Sequence, residues 1–383
     1  MKKFLSKKQL VTLIVLLSFL LILICTICLT SSKEASEFFT RTFSRAYITI
    51  IGTIDSLIPI SLMEVSVIFL FLFCLGLIIK GIINIVKGNK KEGIFKFSLV
   101  TTLILGVITS YYFACGLSYH RDNLPIELYE EKVEKTDYLP IIYSYIADFN
   151  ELCNELSFAE NGSLIVPYSF EEMNKRVIKE FEKIDNDYFH DITVRGKPLF
   201  SSFIYRELHI AGVSFSALGE ANVDYLVNSS DLPFTLAHEI AHIKGVMREQ
   251  DANLIATYVL LDSDDAFLRF SAYRRTFFNL VDIVDFLPDP QQIRTHIYSS
   301  LDERIWKDIY YANDYYRKHD LFNTIATFFN DLYLKIFGNG GIGAYDDNMD
   351  KEDSGNTDDN GNIIYNPVYS KTQKLYFKFY FDR

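Results

Sequence analysis

The chain has 383 residues, of which 49% are hydrophobic, and a formal net charge of −11 at pH 7. This length suffices for a globular domain of ordinary size together with several membrane spans. The acidic balance argues against nucleic acid as a partner, because nucleic-acid binding requires clustered Lys and Arg side chains. The five cysteines lie mostly in apolar segments and predict no disulfide framework.

Three hydrophobic runs precede residue 120, at about 9–30, 61–82 and 97–117. Each is near the roughly 20 residues that a helix needs to cross a bilayer. The first run follows a Lys-rich tail, as in a signal peptide, but it is long for one and no small-residue cleavage site is evident, so we expect an uncleaved anchor. The sequence therefore predicts a membrane domain over 1–119 with three transmembrane helices.

The basic residues predict how these spans are oriented. Four lysines in the N-terminal tail and five in the second loop make nine, against three basic residues in the first loop. By the positive-inside rule, the N-terminus and the second loop are cytoplasmic. Three crossings then place everything after about His120 outside, so we expect a multi-pass protein of the cytoplasmic membrane with its soluble domain outside.

The soluble part is predicted to be mostly helical. Helical patterns occupy most of 120–190, whereas about 192–227 becomes strand-like, as in Ser201–Arg206 and Gly212–Phe215. We therefore expect an α+β domain over 120–345 that is mostly helical and has a small sheet.

The end of the chain, 346–383, is predicted as an acidic loop and a C-terminal segment. The stretch 346–362 is acidic and rich in Gly and Asn, which favours a solvated flexible loop. Lys374–Phe381 alternates polar and aromatic residues, a pattern typical of a strand.

The most specific segment is Leu236–Ala256, which reads LAHEIAHIKGVMREQDANLIA. His238 and His242 stand four residues apart, so on a helix their imidazoles project from one face. Glu239 lies between them as H-E-x-x-H, in which two histidines hold zinc and the glutamate acts as general base. Zinc lowers the pKa of its bound water, and a neighbouring carboxylate takes the proton as the water attacks a carbonyl.

A hydrolytic zinc site needs a third protein ligand and one open position for water. Glu249 is our candidate for this ligand, since Gly245 can end the first helix and let the chain turn back. Asp251 is the alternative, but it lies about 200° around the helix from Glu249. Asn253 shares the face of Glu249, and its amide can fix the ring orientation of a ligating histidine.

H-E-x-x-H followed by E-x-x-A-N resembles the gluzincin zinc peptidases, whose third ligand is the glutamate of the second motif. More closely, the chain resembles an uncharacterised bacterial membrane family, the domain of unknown function thirty-eight-ten, which has three N-terminal spans and an H-E-x-A-H signature. The resemblance runs from about residue 40 to about 345, and it departs before Ala-Asn, where this chain has Asp251, a shorter side chain than the second acid of the relatives. The matching stretches are Ile58–Ser61, Cys115–Arg121, Gly219–Val223, Leu232–His242, Arg248–Asn253, Ser271–Arg275 and Asn330–Lys335.

The resemblance to gluzincins implies further site residues. In such folds an edge strand before the zinc helix pairs with an extended substrate, which makes Asn222 and Glu220 candidates for substrate binding. An exposed polar turn is the alternative at these positions. Gluzincins commonly use a Tyr or His to stabilise the oxyanion, which makes Tyr273 a catalytic candidate, with a core tyrosine as the alternative.

These features together predict a membrane-anchored zinc-dependent metallopeptidase of gluzincin type. Its expected partners are the lipid bilayer and a peptide or protein substrate of the cell envelope. The alternative function is a catalytically silent zinc-binding sensor or binding protein of the envelope. Cleavage inside the bilayer is disfavoured, because the segment around His238 is too polar to be a span.

Overall fold

The computed structural model describes residues 6–125, 138–337, 341, 343, 350–357 and 363–381. In chain order, the helices of these ranges are α1 (Lys7–Leu29), α2 (Lys33–Phe39), α3 (Arg45–Ser56), α4 (Leu62–Val86), α5 (Lys90–Ala114), α6 (Tyr138–Glu155), α7 (Phe170–Glu182), α8 (Ser202–Glu207), α9 (Leu232–Ile243), α10 (Glu249–Leu261), α11 (Ala266–Val281), α12 (Pro290–Ser300), α13 (Glu303–Lys318), α14 (Asn323–Ile336) and α15 (Lys371–Phe381). The strands are β1 (Gly196–Pro198), β2 (Gly212–Phe215), β3 (Glu220–Val223), β4 (Asp350–Thr357) and β5 (Ile363–Val368). The prediction of a mostly helical α+β chain with a small sheet is confirmed.

Three helices, α1, α4 and α5, are long and apolar enough to cross a membrane, with 23, 25 and 25 residues. These helices lie at the three hydrophobic runs of the sequence, so the prediction of three candidate spans is confirmed. The third candidate span, α5, begins at Lys90 rather than near 97, because the Lys, Glu and Phe residues before the apolar run are compatible with a helix. Only three residues separate α4 from α5, so these two helices form a tight hairpin.

The stretch between the first two spans is helical and packs against the soluble domain. It contains α2, a π-helix at Thr40–Ser44, and α3. Arg45 donates hydrogen bonds to the carbonyls of Asp187 and Phe189, at 2.5 and 2.8 Å. Helix α3 also approaches the sheet so closely that a Cβ on Gly219 would lie 2.6 Å from the Cα of Gly52. The membrane-proximal helices therefore belong to the same packed structure as the sheet.

A buried cluster of charges joins these helices to the sheet. The Lys197 ammonium on β1 lies 2.6 Å from Asp55 of α3 and 2.7 Å from Glu220 of β3. Glu220 also accepts hydrogen bonds from the amides of Leu62 and Met63, at 2.7 and 2.6 Å, in the first turn of α4. A carboxylate is favourable there because the N-terminus of a helix carries partial positive charge.

The three-stranded sheet has the order β1-β3-β2, with β1 parallel and β2 antiparallel to β3. The edge strands are therefore β1 and β2, whereas β3, which contains the predicted edge residues, is central and buried along its whole length. The strand predicted at Ser201–Arg206 is wrong, since this stretch forms α8. Its start is fixed by Glu64 of α4, which accepts hydrogen bonds from the amides of Phe200 and Ser201 at 2.8 and 3.0 Å.

Two predictions for the C-terminal region are corrected. The acidic stretch contributes β4, which pairs antiparallel with β5, although 344–349 and 358–362 lie outside the described residues. The predicted strand at Lys374–Phe381 is the greater part of α15. Its consecutive residues Leu375, Tyr376 and Phe377 are all buried against the helical core, which favours a helix despite the alternating pattern.

Candidate metal centre

The centre is built by a tight turn between α9 and α10. Gly245 has a φ of +96°, and the amides of Gly245 and Val246 bond to the carbonyls of His242 and Ala241 at 2.9 and 3.1 Å. This conformation favours glycine, as the sequence predicted. Close packing of the two helices is possible because small buried residues face each other, namely Ala237, Ala241, Ala252 and Ala256.

The turn brings His238, His242 and Glu249 into one cluster that can hold a metal ion. The two histidine Nε2 atoms are 3.0 Å apart, and Glu249 Oε2 lies 3.1 Å from His238 Nε2 and 3.5 Å from His242 Nε2. All three side chains are almost completely buried. Within the described residues, this is the one group of three or more His, Cys, Asp or Glu side chains with metal-ligand spacing.

The charges of the cluster favour a shared cation. Burial raises the pKa of Glu249, but the charge of His242 and hydrogen bonds from both histidines lower it to about 2. Burial lowers the pKa of His242, but the Glu249 carboxylate outweighs this effect and raises it to about 9. In the metal-free cluster the Glu249 carboxylate is therefore ionised, and the positive charge beside it is that of His242.

Asp251 and Asn253 contribute in different ways from Glu249. Asp251 lies outside the cluster, and its carboxylate forms ion pairs with Arg248 and Lys371 at 3.1 and 2.5 Å. Asn253 lines the cavity around the cluster. The His242 ring is oriented through Nδ1, which donates to the Val246 carbonyl at 2.7 Å, so Nε2 lies toward His238 and Glu249 and would lose its proton on binding a metal.

Glu239 lies against the edge strand β2. A Cβ on Gly212 would lie 2.5 Å from Glu239 Oε1, so only glycine leaves room for this carboxylate. Burial raises the pKa of Glu239 to about 8, against the opposing effects of the His242 charge and a hydrogen bond from the Ser214 amide. Glu239 is thus held between the ligand helix and the strand, and it lines the same cavity as the cluster.

A cavity of about 1110 Å³ opens in front of the cluster. One wall is β2 together with Leu208–Ala211, and the floor is formed by α9 and α10. The opposite walls come from α13 and α14. Tyr111, in the last turn of α5, and Tyr119 also line it, so the cavity extends to the end of a candidate span.

Three predicted site residues do not line this cavity. Glu220 binds Lys197 and the start of α4, as described above, and the Asn222 side chain donates to the Val213 carbonyl at 3.3 Å. Both are on the buried central strand β3, and neither lines the cavity. The Tyr273 hydroxyl donates to Asp148 at 3.2 Å and lies in the core rather than beside the cluster.

Other residues of the cavity had no signal of their own in the sequence. Burial and the charge of His242 lower the pKa of His238. Arg275 lies near enough for its charge to lower this pKa as well. Tyr119 and Tyr333 share a hydrogen bond of 2.8 Å between their hydroxyls and lie near Glu249, whose charge adds to the raised pKa of both. Their one hint in the sequence is that they belong to matching stretches, namely Tyr119 to Cys115–Arg121, Arg275 to Ser271–Arg275 and Tyr333 to Asn330–Lys335.

Arg121, at the end of the stretch Cys115–Arg121, binds the turn between α9 and α10, which we call the metal turn. Its buried guanidinium donates to the Gly245 carbonyl at 3.2 Å and pairs with Glu37 of α2 at 2.9 Å. Burial raises the pKa of Glu37, but hydrogen bonding and the charge of Arg121 bring it down to about 2. The turn that carries the cluster is therefore anchored to α2, which follows the candidate span α1.

The comparisons with known proteins give one match. Residues 39–350 match the model of the family described as "Protein of unknown function (DUF3810)". The chain belongs to this family. The matched region contains the candidate spans α4 and α5, the sheet and the whole metal cluster. No curated protein and no solved structure matches the chain.

Proposed function

We propose that this member of the DUF3810 family is a membrane-anchored, zinc-dependent peptidase of gluzincin type. The observation that carries the proposal is the cluster of His238, His242 and Glu249, with Glu239 beside it in the same cavity. Two imidazoles and one carboxylate are a ligand set typical of catalytic zinc sites, which keep a further position open for water.

The spacing of the ligand atoms fits a zinc ion. Tetrahedral coordination with bonds of about 2.0–2.1 Å separates neighbouring ligand atoms by about 3.3 Å. The three separations in the cluster are 3.0, 3.1 and 3.5 Å. His238, His242 and Glu249 would therefore hold the ion with little rearrangement, and Asp251 would remain in its ion pairs.

Bound zinc would polarise a substrate carbonyl and lower the pKa of a water molecule at the open position. Glu239 would take a proton from this water as the water oxygen attacks the carbonyl carbon of a peptide bond. It would then return the proton to the amide nitrogen as the carbon–nitrogen bond breaks. The product is a carboxylic acid and an amine, and no further reactant is needed. A cation at the cluster also opposes the rise in the pKa of Glu239, so the base is ionised when the ion is bound.

The edge strand β2 supplies a place for the substrate backbone. In the antiparallel pairing with β3, the Ala211 carbonyl accepts from the Asp224 amide at 2.8 Å, so Val213 and Phe215 also face β3. Gly212 and Ser214 then direct their backbone groups away from β3, where the Ser214 amide bonds to Glu239. An extended peptide would add to this edge through the other main-chain groups of these two residues and place a carbonyl near the cluster. This arrangement supports a peptide as the substrate.

The proposal is tested with Glu239→Gln in the full-length chain, because α2, α3 and the metal turn are packed together. The variant keeps the shape of the side chain and removes the base, so we expect zinc to be retained and hydrolysis of a peptide library to be lost. Chelation should abolish hydrolysis by the parent. Equal turnover by variant and parent would contradict the mechanism. Zinc binding with no turnover in either would instead favour a zinc-binding sensor.

A further inference from the structure

Helix α14 presents a wide apolar face that the described residues leave exposed. Ile325, Phe328, Phe329, Leu332 and Ile336 are 56, 64, 61, 45 and 61% exposed. At 100° per residue they fall within an arc of about 100°. The opposite face packs inward through the fully buried Leu334. Soluble proteins rarely expose so many large apolar side chains on one face without a partner.

The helix is attached to the end of a candidate membrane span. The Tyr333 hydroxyl hydrogen-bonds to those of Tyr111, in the last turn of α5, and of Tyr119. The Phe337 ring packs against Tyr111, Tyr112 and Tyr119, with centroids 5.4, 5.1 and 5.1 Å away. Tyrosines at the end of an apolar helix are typical of the boundary between lipid and water. This contact places α14 at the level where α5 leaves the bilayer.

A second exposed apolar patch lies at the corresponding end of α4. Phe200, Phe203 and Ile204, which we call the α8 patch, are 52, 59 and 45% exposed. The backbone of this segment is fixed to Glu64 in the first turn of α4. The α8 patch and α14 are also connected, since the Phe322 amide donates to the Glu207 carbonyl at 3.0 Å. The two surfaces thus lie at the ends of two spans that point toward the soluble domain.

We propose that the apolar face of α14 and the α8 patch lie in the headgroup region of the bilayer that the candidate spans cross. The occupant of this surface is phospholipid, because both patches adjoin the points where α4 and α5 leave the lipid. An amphipathic helix with its apolar face turned to the membrane binds in the plane of the interface in this way. Helix α14, about 21 Å long, would lie along the membrane surface.

This placement defines which substrates reach the cluster. Phe329 and Tyr333 of α14 and Tyr111 of α5 line the cavity, so one side of the cavity follows the bilayer surface. A peptide that emerges from the same bilayer enters along this side without crossing the domain. We therefore infer that the substrate is the juxtamembrane segment of a membrane-anchored protein, an inference that rests on the proposed peptidase function.

The lipid contact is tested with tryptophan fluorescence in the full-length chain reconstituted into phosphatidylcholine vesicles. Phe328→Trp should lose more than half of its added emission when the lipid acyl chains are brominated, and Phe203→Trp should respond in the same way. Tyr143→Trp, on α6, is the control and should be unaffected. Trp306, the single native tryptophan, gives the background measured in the parent. If Phe328→Trp is quenched no more than Tyr143→Trp, the proposal is wrong. In that case, a dimer in detergent would indicate that the apolar face of α14 binds a second copy of the chain.

The substrate class is tested by mapping cleavage positions. The probe is a single membrane span followed by a randomised extramembrane tail of about 40 residues, a flexible chain with a root-mean-square reach of about 35 Å. Co-reconstituted with the full-length chain, it should be cut mainly in the residues next to the span. Cuts spread evenly along the tail would overturn the substrate class. An uncut tail would contradict the peptidase function, and the quenching result would still decide the membrane contact.

Discussion

At the residue scale, the third ligand is the first point to test, because Glu249 and Asp251 are two positions apart on α10. Glu249 directs a carboxylate oxygen to within 3.5 Å of both histidine Nε2 atoms, whereas Asp251 is paired with two cations. We expect about one zinc per chain in the parent and in Asp251→Asn, and a loss of zinc in Glu249→Gln. Metal analysis of the purified chains measures this. Loss of zinc from the Asp251 variant alone would reverse the assignment.

His190 is a second residue whose environment has a measurable consequence. Burial, followed by the charges of the nearby cations Arg121 and Arg45, lowers its pKa to about 3. The folded chain therefore prefers the neutral imidazole, whereas the unfolded chain has the ordinary value of 6.5. This contribution to stability is fully present above pH 6.5 and is lost as the pH falls from there toward 3.

For the metal-free chain, we expect the free energy of unfolding to fall by about 2 kcal/mol between pH 7 and pH 5 through His190. His190→Leu should reduce this acid sensitivity, because the variant has no group to protonate. Unfolding in detergent at several pH values, with chelator present throughout, measures the difference. An unchanged dependence on pH in the variant would show that other groups dominate.

At the element scale, the contact between β2 and α9 positions the base. Because a Cβ at position 212 would lie only 2.5 Å from Glu239 Oε1, Gly212→Ala should displace the carboxylate. We expect zinc to be retained and peptide hydrolysis to fall by about 100-fold, since a misplacement of the reacting group by about 1 Å has effects of this size. Gly76→Ala on α4 is the control, because its Cβ would meet open space. Full activity of Gly212→Ala would show that β2 does not position Glu239.

The elements show which parts of the site a sequence can reveal. His238, Glu239, His242 and Glu249 lie on two consecutive helices, so helical spacing and one glycine were enough to group them. The order of the strands depends on pairing between distant segments, and the central position of β3 therefore had no local signal. Tyr119 and Tyr333 are 214 positions apart, and their contact arises only when α14 packs against the end of α5. The α8 segment resembled a strand because it contains the consecutive residues Phe203, Ile204 and Tyr205, which favour strands, whereas its start is set by Glu64.

At the scale of the whole molecule, the membrane-proximal helices and the metal turn form one connected structure. Arg121 ties the turn to Glu37 of α2, and Lys197 ties the sheet to Asp55 of α3. Both links cross the boundary near residue 120 that the hydrophobic runs predicted between membrane and soluble domains. The centre is therefore held at a fixed position relative to the spans, which agrees with a site that acts close to the bilayer.

The side of the membrane that this domain faces is predicted from the distribution of lysines. The connection between α4 and α5 and the N-terminal tail are both Lys-rich, so by the positive-inside rule we predict that they lie in the cytoplasm and that the candidate metal centre lies outside. Cys153 is fully buried and unsuitable for labelling, whereas Glu160 is exposed. In a chain without its native cysteines, Glu160→Cys should react with an impermeant thiol label on intact cells. Asn89→Cys, between α4 and α5, is the matched control and should react only after lysis. The reverse pattern would place the centre in the cytosol, and its substrates would then be segments of membrane proteins on the cytoplasmic side.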